Sequence, residues 1–185
     1  MTSLPSMYDY LNGNKPRMTE EALKLYGTHE LLGSESNQTI LSWATEVEHA
    51  IGVQHLSYTT DSIPWCGLFM ALVAVRASWS DQVPKTPLWA RSWLTFGVEA
   101  EKPSLGDILV FGREGGGHVS QYVGEDQFYF HILGGNQGDA VNIIRIPKTR
   151  LLPHGVRRPK WKVAQPVSVK PIHLGPNGPI SINEA

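Results

Sequence analysis

Cys66 is the residue on which chemistry can be built, and it is the single cysteine of the chain. A thiol becomes a nucleophile when its thiolate is favoured, when a base stands near to take its proton and when a third group orients that base. His118 is the candidate base. It follows Gly115-Gly116-Gly117 and opens a run suited to a strand. The candidates for the orienting group lie on the next strand and just past it. Asn136 is placed ahead of His131, because Gly134-Gly135 leaves room for backbone beside a site; Gln137 stands third. An oxyanion formed on attack needs aimed donors. The Cys66 backbone N–H is one by position, and Tyr58, in the loop before, offers a hydroxyl. Trp65, Trp89 and Trp93 are candidates to line a cleft, or to fill the core.

The elements that must position these residues can be read from pattern. The stretch 63–75 is the most apolar of the chain. It is too short to span a bilayer and reads as a buried helix. Asp61 or Ser62 would cap it, with Pro64 tolerated in the first turn. Cys66 would then meet unpaired N–H groups and the positive end of the helix dipole, and both favour a thiolate. Before it, 19–26 opens on acidic residues and stops at Gly27, a short helix. Ile40, Trp43, Ala44 and Val47 recur at helical spacing, in a helix ending near Gly52. The stretch 89–96 is a short helical piece.

After Pro103 the pattern changes to strands at 108–111, 118–123, 128–133 and 140–146, with a last short one at 155–158. Helices first and a meander of strands after make an α+β fold: the nucleophile's helix packs on an antiparallel sheet of about four to five strands. If 118–123 and 128–133 form a hairpin around a turn at 124–127, residue 118 lies opposite about 133. Asn136 is then just past that level and His131 two residues short of it.

The 185 residues divide into an arm at 1–17, one catalytic-sized domain at 18–159 and a proline-punctuated tail at 160–185. Lys plus Arg is 16 and Asp plus Glu 17, so net charge gives no argument for a nucleic-acid partner. One cysteine excludes an intramolecular disulfide, and no Cys/His set has zinc spacing. The start of the sequence lacks the pattern of a signal peptide, and no run reaches transmembrane length. The expectation is a monomer made in the cytoplasm, without metal or cofactor.

Taken together, the motifs resemble one family. Ile-Pro-Trp-Cys-Gly-Leu-Phe at 63–69, Ala90-Arg91-Ser92-Trp93-Leu94 with Gly97, Gly106-Asp107-Ile108, Gly117-His118-Val119, and Leu133-Gly134-Gly135-Asn136-Gln137 followed by Ala140-Val141-Asn142-Ile143 are similar to the small bacterial and phage cysteine peptidases of the CHAP and NlpC-type superfamily. The likeness covers roughly 19–159, and the ordered motifs make it more specific than any one of them. It implies a papain-like α+β fold, Cys66 as nucleophile, His118 as base and Asn136 as the third polar residue. It implies as substrate the peptide part of peptidoglycan, cleaved within the stem peptide or at the sugar–peptide amide. A phage lysin released through a holin or an antibacterial effector would reach the wall without a signal peptide, with an immunity or delivery protein as a further partner. The polar Ser120-Gln121 in the strand after His118 departs from the family pattern, and the arm and tail have no counterpart in it. Two other classes fit the same residues: a catalytically silent wall-binding or phage structural module, and a papain-like deamidase or isopeptidase acting on protein.

Overall fold

The computed structural model describes residues 3–31, 33, 35–160 and 170–181. Three α-helices come first: α1 (Arg17–Lys24), α2 (Gln38–Ile51) and α3 (Cys66–Arg76). Six strands follow: β1 (Val98–Glu99), β2 (Ile108–Arg113), β3 (Gly116–Glu125), β4 (Tyr129–Gly134), β5 (Asn142–Pro147) and β6 (Leu151–Arg158). The protein is α+β, as the order of patterns in the sequence requires.

Helix α2 shows why. Asn37 caps it, its side chain accepting from the Thr39 N–H, and Gly52 ends it in the left-handed conformation at φ 68°. Its buried face is Ile40, Trp43, Ala44 and Val47, the residues spaced for it. Helix α3 is apolar all round and is buried from Cys66 through Ala74, which a helix without a polar face demands.

The sheet is antiparallel throughout, in the order β1-β6-β2-β3-β4-β5. Strands β2 to β5 form the expected meander. The sheet is larger than four to five strands because the chain returns after β5: β6 runs the length of 151–158 beside β2, and β1 pairs with its far end, Val98 opposite Arg158. Buried Asp107 fixes that return. Its two carboxylate oxygens take Arg158 Nε at 2.9 Å and Nη2 at 2.6 Å, a bidentate grip across the β2–β6 seam.

Alternation along the strands divides the sheet's side chains. Ile108, Val110, Val119, Leu133 and Ile143 join the core made with the three helices. Leu109, Phe111, Tyr122, Phe130, Ile132, Ile144, Ile146 and Val156 form a second cluster. The arm is anchored: 3-10 helix Ser6–Asn12 buries Tyr8 and Leu11. Of the tail, 170–181 touches the sheet by parallel bridges, Glu125 with His173 and Arg145 with Ile180; the rest of the 160–185 stretch beyond Lys160 lies outside the described residues. No helix of the described residues is long and apolar enough to cross a membrane.

Candidate active site

Cys66 is the first residue of α3. The helix begins two residues later than the sequence suggests: Pro64 precedes it and Trp65 is the flanking residue, whose carbonyl accepts the first helical bond, from Phe69 N–H at 2.9 Å. Neither Asp61 nor Ser62 caps it. The Asp61 carboxylate instead accepts from the backbone N–H groups of Asn37, at 2.7 Å, and Leu31. The side chain that meets the helix start comes from far along the chain: Asn136 Oδ1 accepts the Trp65 N–H at 2.9 Å.

Two glycines let the surrounding backbone close on this helix start. A Cβ on Gly67 would collide with the Pro87 carbonyl oxygen, and one on Gly135 would lie 2.5 Å from the Trp65 ring and 2.7 Å from Phe69 Cβ. The 87–88 backbone and the Gly134-Gly135 turn thus grip the helix end from two directions.

Cys66 lines a cleft of about 540 Å³, with Ile63, Pro64, Leu88, Trp89, Arg91, Arg113 and the glycines Gly115 to Gly117 among its other walls. His118 follows directly on Gly117 and is buried. Its Nε2 lies 3.0 Å from Gln137 Oε1. The orientation of that amide is fixed by its other end, since Gln137 Nε2 donates to Asn142 O at 2.8 Å and to Asn142 Oδ1 at 3.0 Å. The oxygen must therefore face the imidazole, and His118 Nε2 must carry the proton. Asn142 Nδ2 donates back to Gln137 O at 2.8 Å, so the orienting residue is itself held on both sides.

The side chain that meets His118 Nε2 is thus that of Gln137, the third-ranked candidate, while Asn136 and His131 are engaged elsewhere. The hairpin register excludes His131, and the loop beyond β4 decides between the other two. The turn between β3 and β4 is not at 124–127, because Gly124 and Glu125 still pair with His131 and Phe130. The chain turns after Asp126, whose Oδ1 accepts from Phe128 N–H and Tyr129 N–H, an Asx turn. Gln121 lies opposite Leu133, so the level of 118 falls beyond the end of β4, in the loop that holds 136 and 137. Asn136 sits there at φ 56° and points its amide to the cysteine helix and to Glu30. His131 is fully buried with both ring nitrogens engaged, Nδ1 at 2.8 Å from Tyr8 Oη and Nε2 at 3.1 Å from Asp126 Oδ2.

Of the aromatic candidates only Trp89 lines the cleft, 73% exposed. Trp65 and Trp93 are fully buried. Trp65 packs edge-on to Trp43 and donates its indole N–H to Glu30; Trp93 packs on Phe96 and donates to Pro87 O at 2.9 Å. Tyr58 is also buried and is not among the cleft residues; its hydroxyl donates to the Asp61 carbonyl at 3.4 Å. Burial, with Asp61 and Glu30 nearby, pushes that phenol's pKa up, so it stays protonated.

Sequence reasoning missed Glu30 altogether. It accepts from Trp65 Nε1 and Asn136 Nδ2, bracing both residues at the helix start, and burial holds its carboxyl above the ordinary range. Nothing in its sequence neighbourhood signals this, because both partners are remote. Among the described residues no group of three or more His, Cys, Asp or Glu is placed to hold a metal ion. Comparisons with protein-family models, curated proteins and solved structures find no match to this chain.

Proposed function

We propose that the protein is a cysteine-dependent peptidoglycan hydrolase of papain-like arrangement, acting on the stem peptide or the sugar–peptide amide. The observation that carries the reading is the pairing of two features. Cys66 opens a buried helix at a cleft wall it shares with Gly117, and the next residue, His118, has its Nε2 proton held by an immobilised amide. The ordered motifs that resemble the CHAP and NlpC-type peptidases choose the substrate.

The chemistry follows from which nitrogen is engaged. With Nε2 given to Gln137, Nδ1 is the nitrogen that takes the Cys66 proton. The thiolate attacks the amide carbonyl, and the oxyanion is met by the Cys66 N–H at the helix start. His118 Nδ1–H then protonates the leaving amine as the C–N bond breaks, which leaves a thioester. Water, deprotonated by His118, cleaves the thioester and returns the thiol. Action on the wall places the protein outside the cytoplasm at the moment of use, as a lysin or as an antibacterial effector.

The test is digestion of purified sacculi, with the released fragments weighed by mass spectrometry. The wild type is expected to release fragments with new peptide or amide ends, and Cys66→Ala to release none while its thermal unfolding stays close to the parent's. Fragment release by the alanine variant removes Cys66 from the role of nucleophile.

A further inference from the structure

We propose that the Cys66 cleft takes its substrate by a carboxylate, gripped by the Arg91 guanidinium beside Trp89 and Arg113, so that the substrates are carboxylate-bearing peptide segments. The inference rests on the reading of this cleft as the substrate site. The residues lining it carry two guanidinium groups, Arg91 and Arg113, and no acidic side chain is among them. Walls of one sign over apolar side chains concentrate the opposite charge. A guanidinium fork matches a carboxylate in geometry as well as in sign.

Arg91 is held in place for this. Its Nε donates to Gly116 O at 3.1 Å, which occupies the inner edge of the group and not the two terminal amino groups that meet a carboxylate. Its stem lies over Gly117, where a Cβ would come within 3.2 Å of Arg91 Cγ. The bare glycine before His118 is packed first against the Phe111 carbonyl oxygen, 2.9 Å from such a Cβ, and then against the arginine stem. Arg113 ends β2 and pairs with Gly116 across the same turn, so both cations are referred to the turn that delivers His118. Trp89 stands on the opposite side of Ala90, a large aromatic left 73% exposed on a cleft wall with Leu88 and Ile63. A flat apolar surface next to a fixed guanidinium suits a peptide segment that carries a charged group on an otherwise uncharged chain. Inorganic phosphate would use the arginines without the indole.

The probes are muropeptides cut from sacculi by a muramidase, either with native carboxylates or with the carboxylates converted to amides by carbodiimide and ammonia. Binding to the full-length Cys66→Ala protein is measured by calorimetry, so no turnover is needed. Native muropeptides are expected to bind at least tenfold tighter than amidated ones, the worth of a charge-assisted hydrogen bond. Arg91→Gln in the same background should abolish that preference and Arg91→Lys keep part of it. Trp89→Ala should weaken both probes alike and leave the preference intact. Equal binding of the two probes, no binding of the native probe, or a preference that survives Arg91→Gln overturns the proposal, as does displacement of the native probe by millimolar phosphate but not by acetate. Digestion of sacculi by the wild type, run in parallel, separates this from the function above. Digestion without carboxylate preference keeps the hydrolase and removes the subsite; preference without digestion does the reverse.

Discussion

At the scale of single residues the proposed division of labour is set by what each nitrogen touches. In the proposed mechanism His118 moves protons in both half-reactions, and general acid–base groups contribute roughly a hundredfold to ten-thousandfold. His118→Ala should therefore remove nearly all turnover. In the same mechanism Gln137 only fixes the ring, through the 3.0 Å contact to Nε2. Gln137→Ala should cost part of that factor, and Gln137→Glu should shift the acid limb of the pH–rate profile by strengthening the imidazolium. Steady-state digestion rates across pH check both. Asn136 plays a different part. Asn136→Gly keeps the left-handed backbone and removes the side chain that accepts the buried Trp65 N–H and donates to Glu30, so it should lower stability by about 1–3 kcal/mol, the usual cost of a buried polar group left unpaired. If Asn136→Gly instead abolishes turnover at unchanged stability while Gln137→Ala behaves as the parent, the assignment of the orienting residue is reversed.

At the scale of elements the question is how a cysteine helix is brought hard against its neighbours. Close backbone approach does it, at positions where a side chain cannot fit. Replacing glycine by alanine inside a helix is ordinarily worth up to about 1 kcal/mol of added stability. Gly67→Ala should do the opposite, since the new methyl meets the Pro87 carbonyl. Overpacking of this kind costs about 1–3 kcal/mol. Urea midpoints decide between the two effects by sign alone. Gly135→Ala should lose stability through Trp65 and Phe69, and with it the alignment of the helix start. The same reasoning explains Gly124. It looks like turn punctuation, yet it lies within β3, where a Cβ would run into Leu174 of the tail.

At the scale of the whole molecule a buried polar chain ties arm, hairpin and outer strand together: Tyr8 to His131, His131 to Asp126, and Asp126 to Arg145 at 2.6 Å. Burial pushes the Asp126 carboxyl up, but the N–H of Phe128, Arg145, His131 and the N–H of Tyr129 together outweigh it and hold it at about 2. Burial lowers the His131 pKa against the pull of Asp126, and burial pushes the Tyr8 phenol up to about 12, so tyrosine donates and histidine stays neutral. The signs follow. A carboxylate depressed in the fold adds stability above its unfolded value of about 3.9, lost as pH falls toward 2. A histidine depressed in the fold loses stability as pH drops below its unfolded value of about 6.5. Chemical unfolding across pH should therefore show a decline starting below about 6.5 and a second one below about 4. Asp126→Asn should flatten the lower limb and cost about 3–5 kcal/mol at neutral pH, because it leaves the buried Arg145 without its counter-charge. His131→Ala should lose stability yet keep turnover per folded molecule, since neither of its nitrogens faces the cleft chemistry.

The sequence by itself determined most of the elements and pointed to Cys66 as the candidate nucleophile. A run of apolar residues with no polar face can only be a buried helix, and periodicity marked the inner face of α2, because these are local properties of spacing and solvent. It also singled out Cys66 at a helix start and His118 at the head of a strand behind glycines. What it could not determine was which amide serves the imidazole. The register of one hairpin, with its Asx turn at Asp126, excludes His131, and the left-handed backbone at Asn136 accompanies an amide given to the Trp65 N–H, which leaves Gln137 for the imidazole. A shift of a few residues in such a ladder changes every pairing beyond it. Tertiary structure likewise decided that Trp65 and Trp93 are core and Trp89 is not, and that Glu30 braces the helix start. Each of these depends on a partner distant in the chain, and burial of an aromatic ring or a carboxylate is a property of what packs against it rather than of its own neighbours in sequence.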